Sequence, residues 1–280
     1  MQGIGNDYIY IDCLQSCPDD LASLSREMSD RHFGVGGDGI ILILPSEIAD
    51  FKMRIFNADG SEARMCGNGA RCVAKYVYDN KLINNNNITL ETLSGVKHLL
   101  LNTDASGNVL SITVDMGVPS FVASDIPVKM STDRIIDFSL ETGVKSMPVA
   151  KITAVSIGNP HTVIFVDSIV YVDLCNLGGA IEHNALFPDR TNVEFVQINS
   201  RNDITMKVWE RGSGVTMACG TGACASVAAA VVNGLTDRNV TVHLDGGDLI
   251  IDWNGNTGHI HLTGPAETVF TGVYNRRSRM

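Results

Sequence analysis

The chain has 280 residues, of which 44% are hydrophobic and 19% charged, and a formal net charge of −10. That balance is globular, neither disordered nor collagen-like. The negative excess argues against nucleic acid or an anionic membrane as the main partner. The longest apolar runs, 40–44 and 227–232, are far too short to cross a bilayer. No basic stretch followed by an apolar one opens the sequence, so no secretion signal is expected. The length fits one large domain or two ordinary ones. Seven cysteines, an odd count, favour a reducing cytoplasm over a disulfide scaffold. No Cys-x-x-Cys pair occurs, and Cys13 and Cys17 lack a second pair at zinc spacing, so no metal is expected.

In chain order, β-branched and apolar runs predict a strand at 9–12, a helix carrying the stripe Leu21, Leu24 and Met28, and a strand at 40–44. A helix follows at 70–79, then strands at 88–92, 96–101 and 109–115. The order then recurs. A strand is predicted at 162–166, a helix on Leu174, Leu177 and Ile181, and a strand at 193–198. A helix at 223–232 and strands at 240–244, 249–253 and 259–262 complete it. The 223–232 helix is apolar all round and must be enclosed. Its counterpart at 70–79 carries Arg71 and Lys75 and is expected to be less completely buried. Arg276, Arg277 and Arg279 make residues 276–280 a basic, solvated tail.

The recurrence is a sequence repeat. Residues 53–70 align without a gap on residues 206–223, 153 positions on. Met53, Cys66, Gly67, Gly69 and Ala70 meet Met206, Cys219, Gly220, Gly222 and Ala223. The same spacing pairs Ile4-Gly5-Asn6 with Ile157-Gly158-Asn159. The pattern predicts an α+β fold of two similar, pseudo-symmetric domains. Each is a curled mixed sheet around a central helix, and the two are expected to fold face to face. The halves are expected at 1–117, with residues 266–275 joining it as a strand, and at 118–265.

Cys66 and Cys219 each precede Gly-x-Gly-Ala and a helix. A helix N-terminus carries unpaired N–H groups and a favourable dipole for negative charge. A thiol placed there is expected to ionise more readily than a free one. The same N–H groups can bind a carboxylate. Folded face to face, the two cysteines would approach one carbon from opposite sides. One thiolate would remove an α-proton and the other thiol would return one to the opposite face. No cofactor is needed for that chemistry.

Residues 4–12, 56–62, 66–71, 158–161, 209–214 and 219–223 together closely resemble the diaminopimelate epimerases, in the family's order and spacing from residue 1 to about residue 270. The resemblance implies interconversion of L,L- and meso-diaminopimelate without pyridoxal phosphate, in the lysine and peptidoglycan pathway, by a homodimer. It implies Cys66 and Cys219 as the acid/base pair. It implies Gly67, Asn68, Gly220 and Thr221 around the reacting-end carboxylate, and Asn6, Asn57, Asn159 and Asn192 lining the active-site cleft between the two domains. Glu210 and Arg211 would contact substrate, and His161 with Glu210 would tune the cysteines. Gly37-Asp38-Gly39 stands where some members carry a glutamine that contacts substrate. Within the repeat, Arg211 faces Ala58, so its planar fork is assigned to the distal, non-reacting carboxylate. A proline or hydroxyproline racemase, and a silent binding protein on the same scaffold, are the rival readings. The segments 5–8 and 209–214 favour diaminopimelate, and the intact cysteine loops count against a silent binder.

Overall fold

The computed structural model describes residues 1–130 and 132–276, so Arg277 and Arg279 of the basic tail lie outside the described residues. The first half runs β1 (Gln2–Gly3), β2 (Asn6–Asp12), α1 (Leu21–Ser29), β3 (Gly39–Leu44), β4 (Phe51–Asn57), β5 (Glu62–Ala63), α2 (Gly67–Asp79), β6 (Asn87–Thr92), β7 (Gly95–Thr103) and β8 (Val109–Gly117). The second runs β9 (Phe138–Glu141), β10 (Val149–Ser156), β11 (Pro160–Phe165), α3 (Leu174–Glu182), β12 (Asn192–Ser200), β13 (Asp203–Glu210), β14 (Gly214–Thr216), α4 (Gly220–Val232), β15 (Asn239–Leu244), β16 (Gly247–Trp253) and β17 (Ile260–Gly264). The fold is α+β with two similar halves. Both bounds of α3 and of α4 lie 153 positions after those of α1 and α2. The strands predicted between residues 9 and 262 all form, most of them longer by a residue or two, but the strand expected at 266–275 does not: that stretch makes only an isolated bridge at Glu267.

Strand pairing repeats as well. In the first half β2 and β3 are parallel, β3 and β4 antiparallel, β4 and β6 parallel. In the second, β11–β12, β12–β13 and β13–β15 show the same three relations. The halves join through an antiparallel ladder between β8 and β17, where Thr113 and Thr263 share a hydroxyl hydrogen bond of 2.8 Å. β1 corresponds to the end of β10, Val155 and Ser156 standing 153 positions after Gln2 and Gly3, whereas the rest of β10 and β9 have no counterpart in the first half and extend the second sheet beyond β11. Between 266 and 275 the chain makes one bridge, Glu267 with Gln2, and Tyr274 donates to Glu27 of α1.

Each half wraps its sheet around one helix. A single apolar core holds both α2 and α4, through Val73, Ala74 and Val77 on one and Ala223, Val227 and Ala228 on the other. Alanine and glycine on these helices leave no bulk to keep them apart, and they touch. α4 is enclosed along nearly its whole length, as its composition requires. α2 is less buried only in its last turn. Arg71 departs from the expectation of partial exposure: it is 0% exposed, and its Nε donates to the Pro265 carbonyl. Its counterpart at the repeat spacing is Cys224, so the guanidinium fills space between the halves that a small thiol leaves.

The outer helices cover the sheets from the other side. Asp20 and Asp173, equivalent residues, cap α1 and α3 by accepting N–H bonds from Ser23 and Asn176. α3 packs against Trp209 so closely that a methyl on Gly178 would stand 2.5 Å from the Trp209 Cβ, whereas one on Gly179 would meet the ring at 3.6 Å. Adjacent glycines therefore carry opposite expectations. Gly178→Ala overpacks a rigid ring edge and is expected to cost about 1–3 kcal/mol. Gly179→Ala adds helix propensity with room to spare and is expected to stabilise by roughly 0.5–1 kcal/mol. Denaturant midpoints of the two variants check the sign of each.

Candidate active site

The two repeated cysteines occupy one backbone role. Cys66 is the N-cap of α2, with φ −141° and ψ 115°; Cys219 is the N-cap of α4, with φ −129° and ψ 109°. Each sulfur takes the place usually held by a Ser, Thr or Asp oxygen. Cys66 Sγ accepts the Gly69 N–H at 3.3 Å and Cys219 Sγ the Gly222 N–H at 3.4 Å. The helix starts converge: a methyl on Gly220 would stand 3.7 Å from Asn68 Oδ1 and 4.0 Å from the Gly67 Cα. Leu262 from β17 lines both starts, with Met116 from β8 beside Gly67. The ladder that joins the halves thus also floors the place where the two caps meet.

Around Cys66 the first half supplies neutral amides. Asn6, at the start of β2, accepts from the Cys66 thiol at 3.4 Å and from Asn68 Nδ2 at 3.4 Å. Asn6 Nδ2 in turn donates to Asp38 Oδ2 at 2.8 Å. Asn57, ending β4, accepts from the Tyr8 hydroxyl at 3.2 Å. Asn68 is nearly buried, and its Oδ1 has no hydrogen-bond partner among the described residues.

Around Cys219 the second half supplies charge. Asn159, equivalent to Asn6, donates to Thr221 Oγ1 at 3.4 Å, and Thr221 Oγ1 lies 3.5 Å from Cys219 Sγ. Asn159 Oδ1 is 3.0 Å from His161 Nε2, and His161 Nδ1 is 2.7 Å from Glu194 Oε1. Glu210, ending β13, accepts a short bond of 2.5 Å from the Thr216 hydroxyl. Burial pushes the Glu210 carboxyl up, helped by the negative charges of Glu194 and Asp38; Thr216 and His161 oppose the shift. Glu210 also opposes ionisation of both thiols.

Asn192 and Arg211 sit apart from the sulfurs. Asn192 is spent on backbone: it donates to the Pro160 carbonyl at 2.8 Å and accepts the Arg211 N–H at 3.0 Å. It fixes the turn that starts at Glu210. Glu182, the last residue of α3, holds the same turn by accepting from Gly212 N and Trp209 Nε1. The Arg211 side chain is exposed at the rim, where its Nη1 donates to the Asp189 carbonyl at 3.0 Å. Hydrogen bonds therefore link Cys66, Asn6 and Asn68 on one side and Cys219, Thr221, Asn159 and His161 on the other, with Gly67 and Gly220 at the converging starts; Asn57 and Glu210 end strands on either side and bond Tyr8 and Thr216, Asn192 lies behind and Arg211 at the edge.

Three residues that touch this network were not singled out as its members: Asp38, Thr216 and Glu194. Glu194 left a signal, a lone carboxylate in the apolar run Val193-Glu-Phe-Val196 at a position where the first half has Ile41. Among the described residues no group of three or more His, Cys, Asp or Glu is arranged to hold a metal ion.

A family model of diaminopimelate epimerase matches residues 1–122 and 153–269. The chain belongs to the diaminopimelate epimerase family. The diaminopimelate epimerase of Acetivibrio thermocellus is 49% identical over 272 residues, covering 97% of this chain and 96% of its own. That of Pelotomaculum thermopropionicum is 51% identical over 278 residues, covering 99% and 98%. The chain is accordingly an isomerase. Only the stretch 123–152, which carries β9 and the start of β10, falls between the two matched parts. Among solved structures, a hydroxyproline epimerase from Agrobacterium vitis with bound trans-4-hydroxy-L-proline is similar. Its TM-score is 0.66 at 17% identity, over 94% of this chain and 87% of that one. A protein of Pseudomonas aeruginosa described as a predicted epimerase gives 0.63 at 18%, over 94% and 93%. These two share the fold. No helix among the described residues is long and apolar enough to cross a membrane.

The helix-start placement of the thiols led to an expectation of easy ionisation, and the structure reverses it. Burial pushes Cys66 up to about 11 against the Gly69 N–H, with Glu210 adding to the rise. Cys219 is pushed up as well, by burial first and then by Glu210 and Glu194. Desolvation outweighs the dipole and one N–H bond. Alkylation of Cys66 in the free enzyme, followed by peptide mass spectrometry, is expected to rise about tenfold per pH unit between 8 and 10 and to level off near 11. A plateau below pH 9 would show the dipole winning.

Proposed function

We propose that the chain interconverts L,L- and meso-diaminopimelate by proton transfer at one α-carbon between Cys66 and Cys219. The observation that carries the proposal is the pair of equivalent thiols capping two helices whose starts meet. A substrate α-carboxylate held by the N–H groups at Gly67, Asn68, Gly220 and Thr221 would set the α-carbon between the sulfurs. One thiolate takes the α-proton and the opposite thiol delivers another to the far face, which inverts the centre. Burial serves this chemistry: a thiolate whose conjugate acid ionises near 11 is a stronger base than a free one. The helix N–H groups receive the charge that builds on the carboxylate as the proton leaves. His161 and Glu210, both linked to the Cys219 side, tune the pair. Asn6, Asn57, Asn159 and Asn192 shape the cleft.

The asymmetry of the repeat supports the choice of substrate. The reacting end of diaminopimelate needs the same service from both halves, and Asn6 and Asn159 match. The distal end is one-sided, and Arg211 has no counterpart cation, Ala58 standing there. The reaction uses no cofactor and belongs with lysine and peptidoglycan precursor synthesis in the cytoplasm, and the working form is a homodimer. The halves are assigned to 1–117, joined by 266–275, and to 118–265.

Proton NMR of purified protein with L,L-diaminopimelate in deuterated water tests the reaction through deuterium wash-in at the α-carbon. Cys66→Ala and Cys219→Ala are each expected to lower turnover about 10²–10⁴-fold with the fold intact. Near-wild-type turnover in either variant would rule out the two-thiol scheme. Arg211→Lys keeps charge but loses the fork, at an expected cost of about 1.5–3 kcal/mol seen mainly in KM. An analogue lacking the distal carboxylate is expected to bind wild type and variant alike. Equal weakening of analogue and substrate would place Arg211 elsewhere.

A further inference from the structure

The repeat makes one substitution that the symmetric chemistry does not call for. Where the first half packs Ile41 against its helix start, the second packs Glu194: a methyl on Gly69 would meet Ile41 Cδ1 at 2.5 Å, and one on Gly222 would meet Glu194 Oε1 at 2.8 Å and Cys219 Sγ at 3.3 Å. Ile41 and Glu194 are both 0% exposed. A carboxylate in such a place is costly and is kept only where it is paired or used. Glu194 Oε1 is paired, with the equally buried His161 Nδ1 at 2.7 Å. Glu194 Oε2 has no hydrogen-bond partner among the described residues. Packing alone would be better served by a second isoleucine.

We infer that Glu194 is a positioning residue that makes the two thiols unequal, by anchoring the chain His161–Asn159–Thr221 that ends at the Cys219 sulfur and by setting a buried negative charge beside that sulfur alone. The inference rests on the reading of Cys66 and Cys219 as the acid/base pair. The anchoring follows from contacts already described: Glu194 to His161 Nδ1, His161 Nε2 to Asn159, Asn159 to Thr221, Thr221 to Cys219. On the first side the equivalent route runs from Cys66 to Asn6 and ends at Asp38, without an imidazole. The groups that face Cys219 from neighbouring elements are Glu194 on β12, Glu210 on β13 and His161 on β11. Of these carboxylates Glu210 raises both thiols, while Glu194 is a leading cause for Cys219 and not for Cys66. Glu194 therefore strengthens the hold on the Cys219 proton and leaves that on the Cys66 proton unchanged.

The test compares two variants and reads both cysteines in one sample. Glu194→Gln removes the charge and keeps an oxygen for His161 Nδ1–H. Its Cys219 alkylation profile, read by peptide mass spectrometry, is expected to move to lower pH by about one unit, and that of Cys66 to stay in place. Glu194→Ile copies the first half and also removes the acceptor for His161. Its kcat is expected to fall about 10–100-fold with KM near that of wild type, and Glu194→Gln to recover part of the loss. An unmoved Cys219 profile in Glu194→Gln, or equal movement of both cysteines, overturns the inference. So does equal kcat in the two variants. If Glu194→Ile does not fold, the two-thiol comparison in Glu194→Gln decides alone. Wild-type turnover in Cys219→Ala would instead remove the underlying two-thiol reading, and the alkylation profiles would still report what Glu194 does to the sulfur.

Discussion

The contact on which the rest depends is a sulfur accepting an N–H at the start of a helix, made twice. It fixes each thiol to its helix, so the thiols can be no better placed than the helices are. The helices must then be held with their starts together. Everything in the sheets serves that requirement. The small residues of α2 and α4 let them touch, and the β8–β17 ladder lies under both starts. The outer helices brace the strands that carry Asn57 and Glu210. Preorganisation of this kind places donors before charge develops, which is where electrostatic catalysis draws its strength.

The halves are alike in backbone and unlike in electrostatics. On the Cys66 side the nearest partner is an amide, with Asp38 one step back. Beneath it lies the Arg71 guanidinium, whose two terminal nitrogens have no partner among the described residues and whose charge favours the Cys66 thiolate. On the Cys219 side lie Glu210, Glu194 and His161. A cation under one thiol and carboxylates around the other tilt a pair that the backbone leaves equal. Symmetry of main chain sets the two thiols in equivalent places, and asymmetry of side chains makes their surroundings unequal.

The sequence made the backbone readable because the repeat has no gap over its central part. Helix bounds in one half confirm those in the other, and Cys66 with Cys219 stood out because Cys72 and Cys224 lack partners at the same spacing. What the sequence hid is what depends on enclosure. β9 and the first part of β10 have no counterpart to announce them, and the counterpart of the rest, β1, is only two residues long. Arg71 sits in a helical pattern that marks it as partly exposed, and only the crossing of α2 with α4 and the return of Pro265 bury it. The thiols were misjudged for a related reason. The helix dipole is local and can be read from a Cys-Gly motif, while burial is set by tertiary packing that the motif does not record. Glu194 was visible as an odd residue in a strand, but its meaning needed the Gly222 packing.

The β8–β17 ladder and the Gln2–Glu267 bridge also set an order of assembly on the ribosome. The first half is complete in sequence at Gly117, yet one side of β8 stays unpaired until β17 has been made, and β1 waits for Glu267. At about 5–20 residues per second, the intervening 150 or so residues take roughly 10–30 s to translate. Throughout that interval a nascent half-protein presents an open edge strand, the kind of edge that templates pairing with another chain. The same strand that lies under the two capped helix starts is therefore what closes the molecule to aggregation, and it arrives late. Truncations that stop before residue 260 leave that edge permanently open, and their cost falls on solubility as much as on catalysis.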